Sequence, residues 1–142
     1  MKEKLFIDTW GWVVLYNKRE LRHNEVDRFY RKWRLRGGTI YTSDYIFDET
    51  FTLLFRRLAT GLLDNILASL DEAIHHGYLN LEWISPERFS KAKEFRFRFI
   101  DKPMISFTDL TPMVVMKEIG IKSILTDDDH FDQVGMGFQK VP

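Results

Sequence analysis

Lys4-Leu5-Phe6-Ile7-Asp8-Thr9 decides how this chain folds. It is a short apolar run ending in an acid, the pattern of a strand buried on both faces in the middle of a parallel sheet. Trp12, Val13, Leu15 and Tyr16 continue it as a short helix. Residues 25–36 place Val26, Phe29, Tyr30 and Trp33 at three- and four-residue steps, which predicts a helix with one apolar stripe. Gly37-Gly38 ends that helix, and Thr39-Ile40-Tyr41 reads as a second strand. Residues 44–59 are helical by the spacing of Ile46, Phe47, Phe51, Leu54, Phe55 and Leu58; Gly61 breaks the pattern, and residues 62–75 make another helix. Residues 79–84 alternate like a strand. Ser85-Pro86-Glu87 then opens a helix with proline at its first position, running to residue 99. A helix over 108–119 is capped by Gly120, and strands follow at Ser123-Ile124-Leu125-Thr126 and Phe138-Gln139-Lys140-Val141. Strands alternating with helices predict an α/β fold, a three-layer α/β/α sandwich on a parallel central sheet.

Bulk properties agree with one globular domain over residues 1–142 and leave the partner open. With 44% apolar and 15% aromatic residues the chain can bury a large core. It has no cysteine, which excludes a disulfide framework and a thiolate zinc site. No apolar run approaches the roughly 20 residues that cross a bilayer, and the N-terminus lacks a signal-peptide pattern. The expectation is a soluble cytoplasmic protein with no membrane partner. Twenty-one basic residues balance 21 acidic ones, yet residues 19–36 and 91–102 are locally basic. Such patches can steer a polyanion on a neutral protein.

Ligands of open parallel sheets collect at the carboxyl ends of the strands, and here two strands end in acid, at Asp8 and at Asp127-Asp128. Each has an ordinary explanation as a turn or cap residue. Glu49 falls beside an apolar helix face, where a boundary position or an ion pair with Arg56 or Arg57 would account for it. Asp109 stands three residues after Ser106, the spacing of a capping box, and Thr126 with Asp129 repeats that spacing. Brought together, four carboxylates repel, and a divalent cation removes the conflict. Magnesium and manganese favour oxygen ligands.

Four motifs in order connect these acids: Leu5-Phe6-Ile7-Asp8-Thr9, Thr42-Ser43-Asp44-Tyr45-Ile46-Phe47-Asp48-Glu49, Ser106-Phe107-Thr108-Asp109 and Leu125-Thr126-Asp127-Asp128-Asp129-His130-Phe131, followed by Gly137-Phe138. The chain resembles a PIN domain of the VapC-type toxin group over essentially its whole length. The resemblance implies a Rossmann-like parallel sheet and an Mg2+- or Mn2+-dependent ribonuclease site. It places the acids of that site at Asp8, Glu49, Asp109 and Asp128, with Asp127 as the fallback ligand and Thr126 as the supporting hydroxyl. It also implies an RNA substrate, a small antitoxin and a homodimer. Trp10 departs from the small or hydroxyl residue usual there, and Pro112 is expected to disturb the first turn of its helix.

Arg31, Arg56 and Arg57, with Lys32 and Arg34, are the basic residues expected to meet RNA phosphates, although a solvated helix face explains such runs equally well. His130 reads as a packing or hydrogen-bonding neighbour of the last helix. Two other functions compete with the metal-dependent endoribonuclease. One is a catalytically weak or inactive PIN-like module that binds RNA or protein. The other is a phospho-receiver domain, which needs an acceptor Asp after a middle strand that neither Tyr41-Thr42 nor Ile84-Ser85 supplies.

Overall fold

The computed structural model describes residues 2–142. β1 (Lys4–Ile7) lies at the centre of a five-stranded sheet in the order β3-β2-β1-β4-β5, parallel throughout. Every return is a helical crossover, as parallel pairing requires. α1 (Thr9–Tyr16) and α2 (His23–Leu35) lead to β2 (Thr39–Ser43), and α3 (Asp44–Arg57) and α4 (Thr60–His75) lead to β3 (Leu79–Glu82). α5 (Pro86–Arg98) and α6 (Phe107–Ile119) bring the chain back to β4 (Ser123–Leu125) on the other side of β1, and α7 (His130–Gln133) precedes β5 (Gln139–Val141). This is the expected three-layer α/β/α arrangement on a Rossmann-like sheet. Because β2 and β4 flank β1, the order reverses there, and the crevice for a ligand opens at the carboxyl ends of β1 and β4.

Burial follows from that position. Leu5, Phe6 and Ile7 are all fully buried, so both faces of β1 are covered by helices. α1 sits directly on the sheet at Gly11, where a Cβ would lie 2.8 Å from the Leu125 carbonyl oxygen and 2.9 Å from Ile7 Cγ2. Trp12 Nε1 donates to Thr42 Oγ1 at 3.1 Å, and that hydroxyl donates to the Ile7 carbonyl at 3.1 Å. One buried relay thus ties α1, β2 and the end of β1 together.

Two local expectations are corrected. Gly61 does not break a helix: α3 stops at Arg57, Leu58 is extended, and α4 starts at Thr60 with Gly61 in its first turn. Glycine's backbone entropy is costly in the middle of a helix, and Gly61 sits at its start. Pro112 does not disturb α6, which is continuous from Phe107 to Ile119. The carbonyl that an N–H at 112 would have served, that of Thr108, accepts the Thr111 hydroxyl at 2.7 Å instead. Among the described residues, no helix is long and apolar enough to cross a membrane.

Candidate active site

Asp8 is the residue immediately after β1, in the position that precedes α1, and its side chain caps nothing. Its amide donates to the Leu125 carbonyl at 3.2 Å, continuing the β1–β4 ladder one step past the strands. That step brings Asp8 level with Thr126, whose hydroxyl donates to Asp8 Oδ2 at 2.9 Å. Asp8 is only 7% exposed, and burial pushes its carboxyl up to about 7; Asp109 and Glu49 add to the rise by charge repulsion, against the lowering hydrogen bonds from Thr9 and Thr126. A buried carboxyl repelled by two other acids is relieved by a proton or by a cation.

Asp109 arrives from the N-terminus of α6. Its amide donates to Ser106 Oγ at 3.1 Å and its Oδ2 accepts from the Ser106 amide at 3.3 Å, so the capping box forms in both directions. The box leaves the carboxylate facing the cleft, where desolvation first and then Asp128 raise its pKa. Glu49 lies on α3, whose start is fixed by Ser43 Oγ accepting from the Ile46 amide at 3.3 Å. It is exposed, and it shares the cleft with Asp8.

The three consecutive aspartates separate. Asp129 points away and pairs with Lys140. The Thr126–Asp129 capping box expected from spacing does not form: Thr126 Oγ1 accepts instead from the Asp128 amide at 3.1 Å, and α7 has no side-chain cap from Asp129. Asp128 turns inward, its Oδ1 accepting the His130 amide at 2.9 Å. Asp127 is exposed on the cleft wall.

Asp8, Glu49, Asp109, Thr126, Asp127 and Asp128 thus line one cleft of about 310 Å³. A larger groove of about 600 Å³ between α5 and α6 is walled by Phe95 and Val114 among mixed charges and gathers no comparable cluster. Among the described residues lining the acidic cleft, Arg57 is the single cation, and it is engaged by Glu20 at 3.4 Å. Arg56 lies in the adjoining hollow with Glu49, whereas Arg31 is exposed, pairs with Asp27 at 2.9 Å and does not line the cleft. Glu20 and Trp10 also line the cleft, and Arg22 lies over the Trp10 ring at 5.0 Å. Nothing in the spacing of Glu20 pointed to this; it reaches the site only through the turn between α1 and α2.

The donor set fits a hard divalent ion. Asp109, Asp128 and His130 each offer one atom, and these atoms lie within 4.8 Å of one another. Asp109 and Asp128 supply carboxylate oxygens, which such ions favour. Among the described residues that close group comprises Asp109, Asp128 and His130; Asp8 and Glu49 line the same cleft without joining it.

The PIN domain family matches residues 5–136. The 23S rRNA-specific endonuclease VapC20 of Mycobacterium tuberculosis, in two strains, is 30% identical over 134 residues, covering 92% of this chain and 94% of the relative. Its crystal structure, described as a Sarcin-Ricin loop cleaving toxin, superposes with a TM-score of 0.77 at 28% identity over 96% of this chain and 98% of that one. VapBC2 from Rickettsia felis, solved bound to a DNA fragment from its promoter, shares the fold with a TM-score of 0.68 at 18% identity over 97% of each chain. The central β1, the acids that follow β1 and β4, and a match running from the first strand to the last loop have one common explanation: the chain belongs to the PIN domain family.

Proposed function

We propose that this protein is a metal-dependent endoribonuclease that hydrolyses RNA phosphodiester bonds, using magnesium or manganese, and acts as the toxin of a toxin–antitoxin pair. The observation that carries the reading is the buried Asp8, pushed up to about 7 and joined by Asp109, Glu49 and Asp128 in a cleft whose single cation is already paired. When bound, a divalent ion supplies neutralisation of the phosphate charge and a water made nucleophilic at neutral pH. Asp8 and Asp109 are held in the cleft by hydrogen bonds from Thr126 and Ser106. Asp128 is fixed by its bond from the His130 amide, and Glu49 reaches in from the open side directly or through water. Arg57 stands at the rim, where a phosphate can compete with Glu20 for it.

The 30% identity to a 23S rRNA-specific endonuclease makes ribosomal RNA the first substrate to test. Neutralisation by a small antitoxin and homodimerisation in the cytoplasm belong to the same reading. Exposed apolar side chains such as Phe97, Ile100 and Met104 provide surface for partners. Purified protein should cleave a panel of RNAs, ribosomal RNA among them, with Mn2+ or Mg2+, and chelator should stop it. Asp8→Asn should abolish cleavage with the fold intact; metal-dependent cleavage retained by that variant would overturn the assignment.

A further inference from the structure

His130 is the one residue of the acidic cluster that the four-acid description leaves without a role. Its Nδ1 is buried and makes no hydrogen bond, although it lies 3.1 Å from Asp128 Oδ1 and 3.5 Å from Asp109 Oδ2. Those distances suit an ion pair, but the directions do not: a ring N–H there is aimed at neither oxygen well enough to donate to it. A buried imidazole nitrogen facing two carboxylates without bonding either costs free energy unless something else occupies the space between them.

Metal coordination accounts for the buried nitrogen, the two separations and the missing hydrogen bonds together. Adjacent ligands of a six-coordinate ion with bonds of about 2.1 Å lie roughly 3 Å apart. The two separations from Nδ1 are close to that edge length. Each carboxylate oxygen already accepts one backbone N–H, from Ser106 for Asp109 Oδ2 and from His130 itself for Asp128 Oδ1. Those bonds fix the oxygens and leave each a lone pair for a further partner. The backbone that carries the His130 ring is likewise tied to the site, because its amide donates to Asp128 Oδ1 at the start of α7.

We propose that His130 is a ligand of the site, its Nδ1 joining Asp109 Oδ2 and Asp128 Oδ1 as one face of the shell around a single divalent ion. This rests on the metal-dependent reading of the cleft and deepens it. It also carries a preference. Imidazole binds manganese more readily than magnesium, which keeps to oxygen and water, so the third ligand biases the site toward Mn2+.

The test reads coordination rather than turnover. Full-length protein is loaded with Mn2+, bound ion is counted by electron paramagnetic resonance, and nitrogen coupling is read by pulsed electron spin-echo methods. The expected result is a directly bound nitrogen in the wild type, identified as histidine by its altered coupling in protein grown with 15N-histidine. His130→Asn should keep Mn2+ bound, lose that coupling, and lose more affinity for Mn2+ than for Mg2+. Retention of the coupling in folded His130→Asn, with His23, His75 and His76 still present, overturns the assignment. Mn2+ bound by the wild type with no nitrogen coupling also overturns it and leaves the four-acid site standing. If neither wild type nor Asp8→Asn binds Mn2+, the metal-dependent reading fails, and the ligand role with it. The labelled wild type decides the matter even if His130→Asn does not fold.

Discussion

The Thr126 hydroxyl donates to Asp8 Oδ2 at 2.9 Å while accepting the Asp128 amide at 3.1 Å, so one side chain sets the positions of two acids from opposite ends of the chain. Removing it strands a buried acceptor and a backbone donor together. Thr126→Val should destabilise the fold by about 1–3 kcal/mol, the cost of leaving such groups unpaired. It should also weaken metal binding by about 10–100-fold, as loss of a ligand's supporting hydrogen bond does elsewhere. Thr126→Ser, which keeps the hydroxyl, should restore most of both. Denaturant melts and calorimetric titration with Mn2+ measure the pair of effects, and unchanged affinity in Thr126→Val would remove the hydroxyl from the site.

Stability without metal should fall as pH rises. Burial holds the Asp8 carboxyl up at about 7, whereas in an unfolded chain it titrates near 3.9. Asp8 therefore contributes fully below about pH 4, and its contribution drains away as pH climbs through 7, because the unfolded chain gives up its proton first. Asp109, also raised, acts in the same direction. Asp8→Asn stays neutral and should melt higher than the wild type at pH 8 in chelator. The gain has a ceiling of about 4 kcal/mol and should shrink toward zero near pH 4. Saturating Mn2+ should reverse the order of the two proteins at pH 8. Melting curves across pH check the slope, and a wild type more stable than Asp8→Asn in chelator at pH 8 contradicts it.

Gly11→Ala should cost about 1–3 kcal/mol, as overpacking does in a rigid interior. The added methyl meets the Leu125 carbonyl and Ile7 Cγ2 inside normal contact distance, so α1 must lift from the strands that carry Asp8 and Thr126. Metal affinity should fall with stability. A variant equally stable and equally able to bind metal would show that α1 has room that its seat on the sheet denies.

Among the arginines, position separates function from solvation. Arg57 lines the cleft, so Arg57→Ala in an Asp8→Asn background should weaken RNA binding and lower its salt dependence by about one phosphate contact. Glu20→Gln releases Arg57 from its ion pair and should tighten binding. Arg31→Ala should change neither, since Arg31 is tied to Asp27 outside the cleft. Fluorescence anisotropy across a salt series distinguishes the three.

The sequence exposed the strand at Leu5–Ile7 because a strand covered on both faces needs unbroken apolar residues, and the acid at its end marks where that cover stops. Asp8 was legible for the same reason. Convergence of Asp109 and Glu49 was not: their helices are set by crossover geometry, which no local spacing encodes, and only the family motifs joined them. The misread segments share one cause. At Gly61 and Pro112 residue type alone predicted a break and a disturbed turn, but local context decided the outcome: Gly61 falls at a helix start, where its entropy costs less than mid-helix, and Thr111 supplied a substitute partner at Thr108. The three aspartates from 127 to 129 were divided by tertiary partners, Lys140 taking one and Thr126 fixing another. His130 stood two residues from a recognised acid, and only the direction of its ring nitrogen distinguished it from a packing residue.

The bond between Thr126 and Asp8 spans 118 positions of sequence. During translation Thr126 follows Asp8 by those 118 residues, with Asp128 and the strand that aligns them close beside it. A growing chain can therefore make β1, β2 and β3 and still possess no complete acidic cluster. The cluster is completed only when β4 slots in beside β1.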